Sequence, residues 1–179
     1  MKRGSPRNGG STQAILRHWQ KAVPNDRLAH LVRDAAKGLM RALQMRLAEH
    51  GVSFGHWTFL RILWEQDGLT QRALSELAGV MEPTTFSALK TLESRGYIQR
   101  RQTENNKKNV YIHLTAKGRA LKAKLVPLAL EVNKIAVAGA SAADVAATRQ
   151  TLLKMIKNLA LDEEVAARTV ARQKPARRL

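Results

Sequence analysis

Between Pro83 and Lys108 the chain sets out hydroxyl and basic side chains at spacings suited to reading a polyanion. Pro83, Thr84, Thr85, Ser87 and Lys90 open a short helical pattern and fall on its first turns. Threonine methyls can meet thymine methyls, hydroxyls can bond bases or phosphates, and Lys90 can reach guanine O6 and N7. The plainer alternative for Thr84 and Thr85 is capping and backbone contact, because most protein–DNA hydrogen bonds go to phosphate and sugar. Arg95, Arg100, Arg101, Lys107 and Lys108 follow as a frame of positive charge. Singly each is as well explained as a solvated cation; together they suit a run of phosphates.

Other chemistries find little support. There is no P-loop, dinucleotide fingerprint or HExxH pattern. The five histidines (His18, His30, His50, His56 and His113) lack close ligand spacing, so a metal site would need folding to bring them together. No nucleophile–base pairing is visible, and no enzymatic activity or cofactor is expected. The absence of cysteine removes disulfides and thiolate metal sites and favours the cytoplasm. No run of about 18 apolar residues suggests a membrane span. No apolar segment follows the charged start as a secretory signal would require. The formal net charge of +17 over 179 residues favours a polyanionic partner.

The elements that must position these residues can be traced in order. Residues 1–24 read as a basic, largely disordered arm, with a short helical turn at Ile15, Leu16 and Trp19. From an N-cap at Asn25 or Asp26, apolar residues from Leu28 to Leu47 recur at steps of three and four, and Gly51 stops the helix. Ser53 caps a second helix, apolar nearly all round, which ends at Asp67-Gly68. Thr70 caps a short helix with Leu74, Leu77 and Ala78 inward. Gly79 makes the turn, Pro83 suits a first helical turn, and Phe86, Leu89 and Leu92 form the next core stripe. Ile98–Gln102 and Val110–Leu114 read as a two-stranded basic hairpin. Thr115 caps a long helix carrying Leu121, Leu125, Leu128, Leu130 and Val132, with a bend expected at Pro127, and Ser141 with Asp144 opens the last one in a capping-box pattern. The expected fold is mainly α with a small β-hairpin wing: a winged helix-turn-helix of six helices. The division is 25–165 for the main domain, with outer helices about 25–50 and 116–165 around a winged unit about 53–115. Residues 166–179 form a basic tail. Apolar residues on both outer helices point to an intertwined homodimer.

These pieces resemble the MarR family of winged-helix regulators over about Asp26 to Leu161. The likeness rests on Gly55-His-Trp-Thr-Phe-Leu-Arg-Ile-Leu63, on Leu69-Thr-Gln-Arg-Ala-Leu-Ser-Glu-Leu-Ala78, and on Thr84-Thr-Phe-Ser87. Leu92-Glu-Ser-Arg-Gly-Tyr-Ile98 and Leu114-Thr115-x-x-Gly118 complete it. Such proteins usually carry Asp-x-Arg in the wing tip; here the matching positions are Asn106 and Lys108. Lysine lacks the planar fork of arginine, so the tip is expected to anchor phosphate rather than read the minor groove.

The resemblance also implies a pocket for a small aromatic acid between the outer helices and the DNA-binding lobe. His56, Trp57 and Arg61 could supply it, an indole face for the ring and a guanidinium for the carboxylate, with Arg33 and Met40 as the opposite wall. Against this, Trp57 suits a core, His56 a helix start, and Arg61 an i,i+4 pair with Glu65. The expectation is a homodimeric repressor on double-stranded DNA, released by an aromatic or heteroaromatic acid and independent of membranes. The rival is an architectural protein that coats DNA broadly.

Overall fold

The computed structural model describes residues 11–20, 28–103 and 106–173, with side chains at 11–20, 28–102 and 110–169. The expected N-caps Asn25 and Asp26 and the tail cations Lys174, Arg177 and Arg178 lie outside the described residues, as does the side chain of Arg172. Among the described residues, seven helices and three strands follow in the order α1 (Thr12–Trp19), α2 (Leu28–Glu49), α3 (Phe54–Glu65), β1 (Leu69–Thr70) and α4 (Gln71–Ala78). Then come α5 (Glu82–Ser94), β2 (Ile98–Thr103), β3 (Asn106–Leu114), α6 (Ala116–Ala136) and α7 (Ala142–Gln173). The seventh helix is α1, where the sequence suggested only a turn. No helix among the described residues is long and apolar enough to cross a membrane.

Residues 1–136 and 137–179 form two compact units. In the first, the core is aliphatic: Leu47, Leu60, Leu74, Leu89, Leu92 and Leu125 are wholly buried. They come from α2, α3, α4, α5 and α6, so the winged unit shares one interior with α2 and α6. Helix starts follow the residues that satisfy them. Ser53 accepts from His56 N, Thr70 from Ala73 N and Thr115 from Gly118 N, each removing an orphan donor of a first turn. Gly79, at φ 64°, ends α4 in the left-handed conformation that a side chain would resist.

Two apolar residues depart from expectation. Leu77 is 60% exposed and Phe86 46% exposed. The interior face of α4 is completed instead by Ser75, whose hydroxyl donates to Val80 O at 2.6 Å. On α2, Trp19 Nε1 of α1 donates to Asp34 Oδ2 at 3.2 Å. Arg33 first, with help from Trp19 and Lys37, lowers the Asp34 carboxyl to about 2. The second unit is dominated by α7. Its start is a closed capping box, Asp144 N donating to Ser141 Oγ at 3.1 Å and Ser141 Oγ to Asp144 Oδ2 at 2.6 Å. Leu153, Ile156, Leu159 and Val165 stand exposed along it.

Candidate nucleic-acid interface

Helix α5 has one buried stripe and one open face. Thr85, Leu89 and Leu92 recur at i, i+4 and i+7 and are all at 0% exposure. Pro83, Ser87, Lys90 and Ser94 occupy the opposite side and are exposed. Three of the expected readers, Pro83, Ser87 and Lys90, therefore share the outward face. Lys90 forms no hydrogen bond or ion pair among the described residues, whereas Ser87 Oγ bonds back to Pro83 O at 3.1 Å. Thr85 does not join them. Its hydroxyl donates to Met81 O at 3.3 Å inside the core, because its place on the 3.6-residue period coincides with Leu89 and Leu92. Thr84 is exposed but turns toward α3.

Strands β2 and β3 pair antiparallel from Ile98↔Leu114 to Gln102↔Val110, with an irregularity at Gln102/Thr103. A third strand, missed because two residues carry no periodicity, is β1, which pairs with β3 at Leu69↔Ile112. Strand β3 starts at Asn106 rather than Val110. Asn106, Lys107 and Lys108 thus belong to a strand in backbone terms, and their side chains lie outside the described residues.

The remaining arginines of the frame divide. Arg101 is exposed on the outer face of β2. Arg100, one residue earlier, faces inward with Ile98. Its guanidinium carbon lies 5.3 Å from the centroid of the Phe86 ring, and its Nε is 3.1 Å from Glu93 Oε2. Arg95 reaches back to the carbonyl of Gly51 instead of projecting with the wing. Lys117 Nζ donates to Arg95 O at 2.9 Å and sits over the Tyr97 ring.

The base of the wing is braced by a carboxylate the sequence reading passed over as turn chemistry. Asp67 Oδ1 accepts from Gly68 N at 3.1 Å and from Leu114 N at 2.8 Å. Its other oxygen lies 3.7 Å from Arg119 Nη1 and 3.8 Å from His113 Nδ1. Arg119 in turn donates to Leu114 O at 2.7 Å. The Leu-Thr-x-x-Gly signature closes the same corner. Thr115 Oγ1 donates to Gly96 O at 2.7 Å, Trp64 Nε1 donates to Gly118 O at 3.0 Å, and a Cβ on Gly118 would run into the Tyr97 carbonyl.

A cleft of about 470 Å³ opens between the start of α3 and the flank of α5, lined in part by His56, Phe59, Val80, Thr84, Ser87 and Thr91. Of the five residues expected to hold an acid, only His56 lines it. Trp57 is 6% exposed and stacks edge-on with Trp64 at 5.5 Å, as a core residue does. Arg61, one turn on, is exposed and forms no pair with Glu65 among the described residues. Arg33 Nε is tied to Asp34 Oδ1 at 3.0 Å, and Met40 lies half-exposed on α2. The physical reason is the all-round apolarity of α3, which draws Trp57 into the interior and leaves Arg61 at its edge. His56 Nδ1 is buried without a hydrogen-bond partner. Burial, then the Arg95 charge, lowers the His56 pKa. No three His, Asp or Glu residues converge as a metal site among the described residues.

A helix, a tight turn, an outward-faced second helix and a two-stranded basic wing define a winged helix-turn-helix protein. Residues 52–110 match the model described as the MarR family. That match spans the winged unit, and the proteins below share its fold. Among its relatives is the HTH-type transcriptional regulator TtmR of Methylorubrum extorquens strain PA1, 32% identical over 101 residues, covering 56% of this chain and 52% of that one. The chain thus spans about half the length of that curated relative. A solved structure of a protein assigned to the MarR regulators of Listeria monocytogenes, complexed with 26mer DNA, superposes with a TM-score of 0.69 at 24% identity. It covers 80% of this chain and 95% of the other. The structure of Bordetella bronchiseptica BpsR, whose DNA binding is regulated by 6-hydroxynicotinic acid, superposes with a TM-score of 0.66 at 21% identity, covering 73% and 98%. The first two are named as transcriptional regulators, and the third as a protein whose DNA binding is regulated.

Proposed function

We propose that this protein is a sequence-specific DNA-binding transcription regulator, a homodimeric repressor of cytoplasmic DNA. The carrying observation is the open face of α5, where Pro83, Ser87 and Lys90 stand together beside a basic wing. In a helix-turn-helix the second helix enters the major groove and a dimer reads half-sites about one helical turn apart. Leu28 and Leu31 on α2, and separately Leu153, Ile156 and Leu159 on α7, are exposed apolar residues of the kind a second copy would cover. The test is selection of genomic fragments by the purified chain at near-physiological salt. A few sites sharing an inverted repeat, bound about 10³-fold more tightly than bulk DNA, support the regulator. Broad recovery without a shared motif supports the architectural rival, for which the net charge of +17 is the argument.

The effector is a small aromatic or heteroaromatic acid, and its site is the cleft beside α5. The volume suits a small ligand, with apolar Phe59 and Val80 for a ring and the hydroxyls of Thr84, Ser87 and Thr91 for polar edges. His56, which lines the same cleft, supplies the imidazole that pairs with a carboxylate. A ligand there acts by binding a non-operator arrangement of α5 better than the operator-bound one. Titration of a protein–operator complex with aromatic acids should release DNA from the wild type and from Arg61→Ala, but not from His56→Ala. Retained release by His56→Ala, with loss in Arg61→Ala, would return the site to the face of α3 that the sequence suggested.

A further inference from the structure

We infer that Phe86 reads a thymine methyl group from the rim of α5, and that Arg100 is a positioning residue that holds its ring. The inference rests on the reading of α5 as the groove-entering helix. Phe86 is 46% exposed on a helix whose core residues Leu89 and Leu92 are fully buried, so packing of the chain does not account for it. It lies three residues after Pro83 and four before Lys90, which puts it on the ridge that carries those two toward DNA. The thymine C5-methyl is the apolar group presented by base edges in the major groove, and phenylalanine is among the side chains that meet it.

The wing prepares the ring for that contact. Arg100 approaches Phe86 from β2, 5.3 Å from guanidinium carbon to ring centroid, the distance of a cation–π pair. Glu93, seven residues after Phe86 on the same side of α5, forms an ion pair with Arg100, its Oε2 lying 3.1 Å from Nε. The acid, the cation and the ring make a chain from α5 to β2 and back. The Arg100 side chain is only 28% exposed, and its charge is matched within the protein. Its part in DNA binding is then to limit the rotamers of Phe86 rather than to neutralise a phosphate.

The test replaces thymine by uracil, one position at a time, in the sequence the wild type selects from a random library. Removing the methyl at one symmetry-related position should weaken wild-type binding about fourfold per half-site, the value of one buried methyl-sized group. Phe86→Ala should bind both DNAs alike at that position, and Phe86→Leu should keep part of the discrimination. Arg100→Gln should shrink the discrimination while leaving the log–log salt slope unchanged, whereas loss of a direct phosphate contact would reduce it by about 0.9. An equal uracil penalty in wild type and Phe86→Ala overturns the role of Phe86. A reduced slope in Arg100→Gln overturns the positioning role. A wild type that enriches no shared sequence removes sequence-specific reading itself, and this inference with it.

Discussion

Lys90 and Thr85 sit five residues apart on one helix and have opposite surroundings. If Lys90 reads a base as proposed, Lys90→Ala should cost about 1–3 kcal/mol of specific binding and relax preference at one base pair. Thr85→Val should leave preference unchanged and alter stability by about 1 kcal/mol at most. Met81 O still accepts from the Thr84 and Thr85 amides, so it is not orphaned. Competition binding against single-base variants, paired with urea denaturation, separates the two. His56 gives a pH signature. Its folded pKa lies below the ordinary 6.5, so the unfolded chain takes up the proton first. The stability it contributes is complete above about pH 6.5 and falls as pH drops below that value. His56→Gln should flatten the difference between denaturation midpoints at about pH 5 and about pH 7.5.

At the scale of elements, the corner between β2 and α6 sets the wing on the body. Gly118→Ala forces a methyl against the Tyr97 backbone, which cannot swing aside as a side-chain end would. A loss of about 1–3 kcal/mol is expected, read as a lower urea midpoint with an unchanged m-value. Much of this level was legible in the residues. Ser53, Thr70, Thr115 and the Ser141–Asp144 pair are polar groups placed where orphan amides must be met, a local requirement that sequence displays directly. Phe86 and Leu77 were not legible, because an apolar residue at core spacing looks the same whether a neighbour covers it or not. Trp57 and Arg61 share a helical face by count, yet α3 is immersed so deeply that one turn separates interior from surface. The Asp67 brace was hidden for a different reason. Its partners, Leu114 N and Arg119, are some 50 residues away in sequence, and only the folded chain joins them.

For the whole molecule, charge and shape make different contributions. On the proposed reading, the net charge of +17 should draw the protein to any duplex, with affinity falling with salt at about −0.9 in log–log slope per phosphate neutralised. Discrimination between sequences should change little over the same titration, since hydrogen bonds and apolar contacts to base edges release few counterions. A slope near zero would remove the basic frame from the interface. The cleft beside α5 belongs to this scale as well, because Thr84, Ser87 and Thr91 line a space on the same helix that carries the proposed readers.

The Asp67 brace has a consequence for timing. One carboxylate fastens the turn after α3, the end of β3 and the first turn of α6, so the hairpin has no hinge of its own at its base. On the proposed reading, the hairpin and the helix ends it is fastened to should leave DNA as a single body, so that release of one half-site is one event instead of a peeling sequence. Stopped-flow dissociation from a half-site fragment should follow a single exponential in the wild type. Asp67→Ala, with the joint slackened, should add a second, faster phase belonging to the hairpin alone.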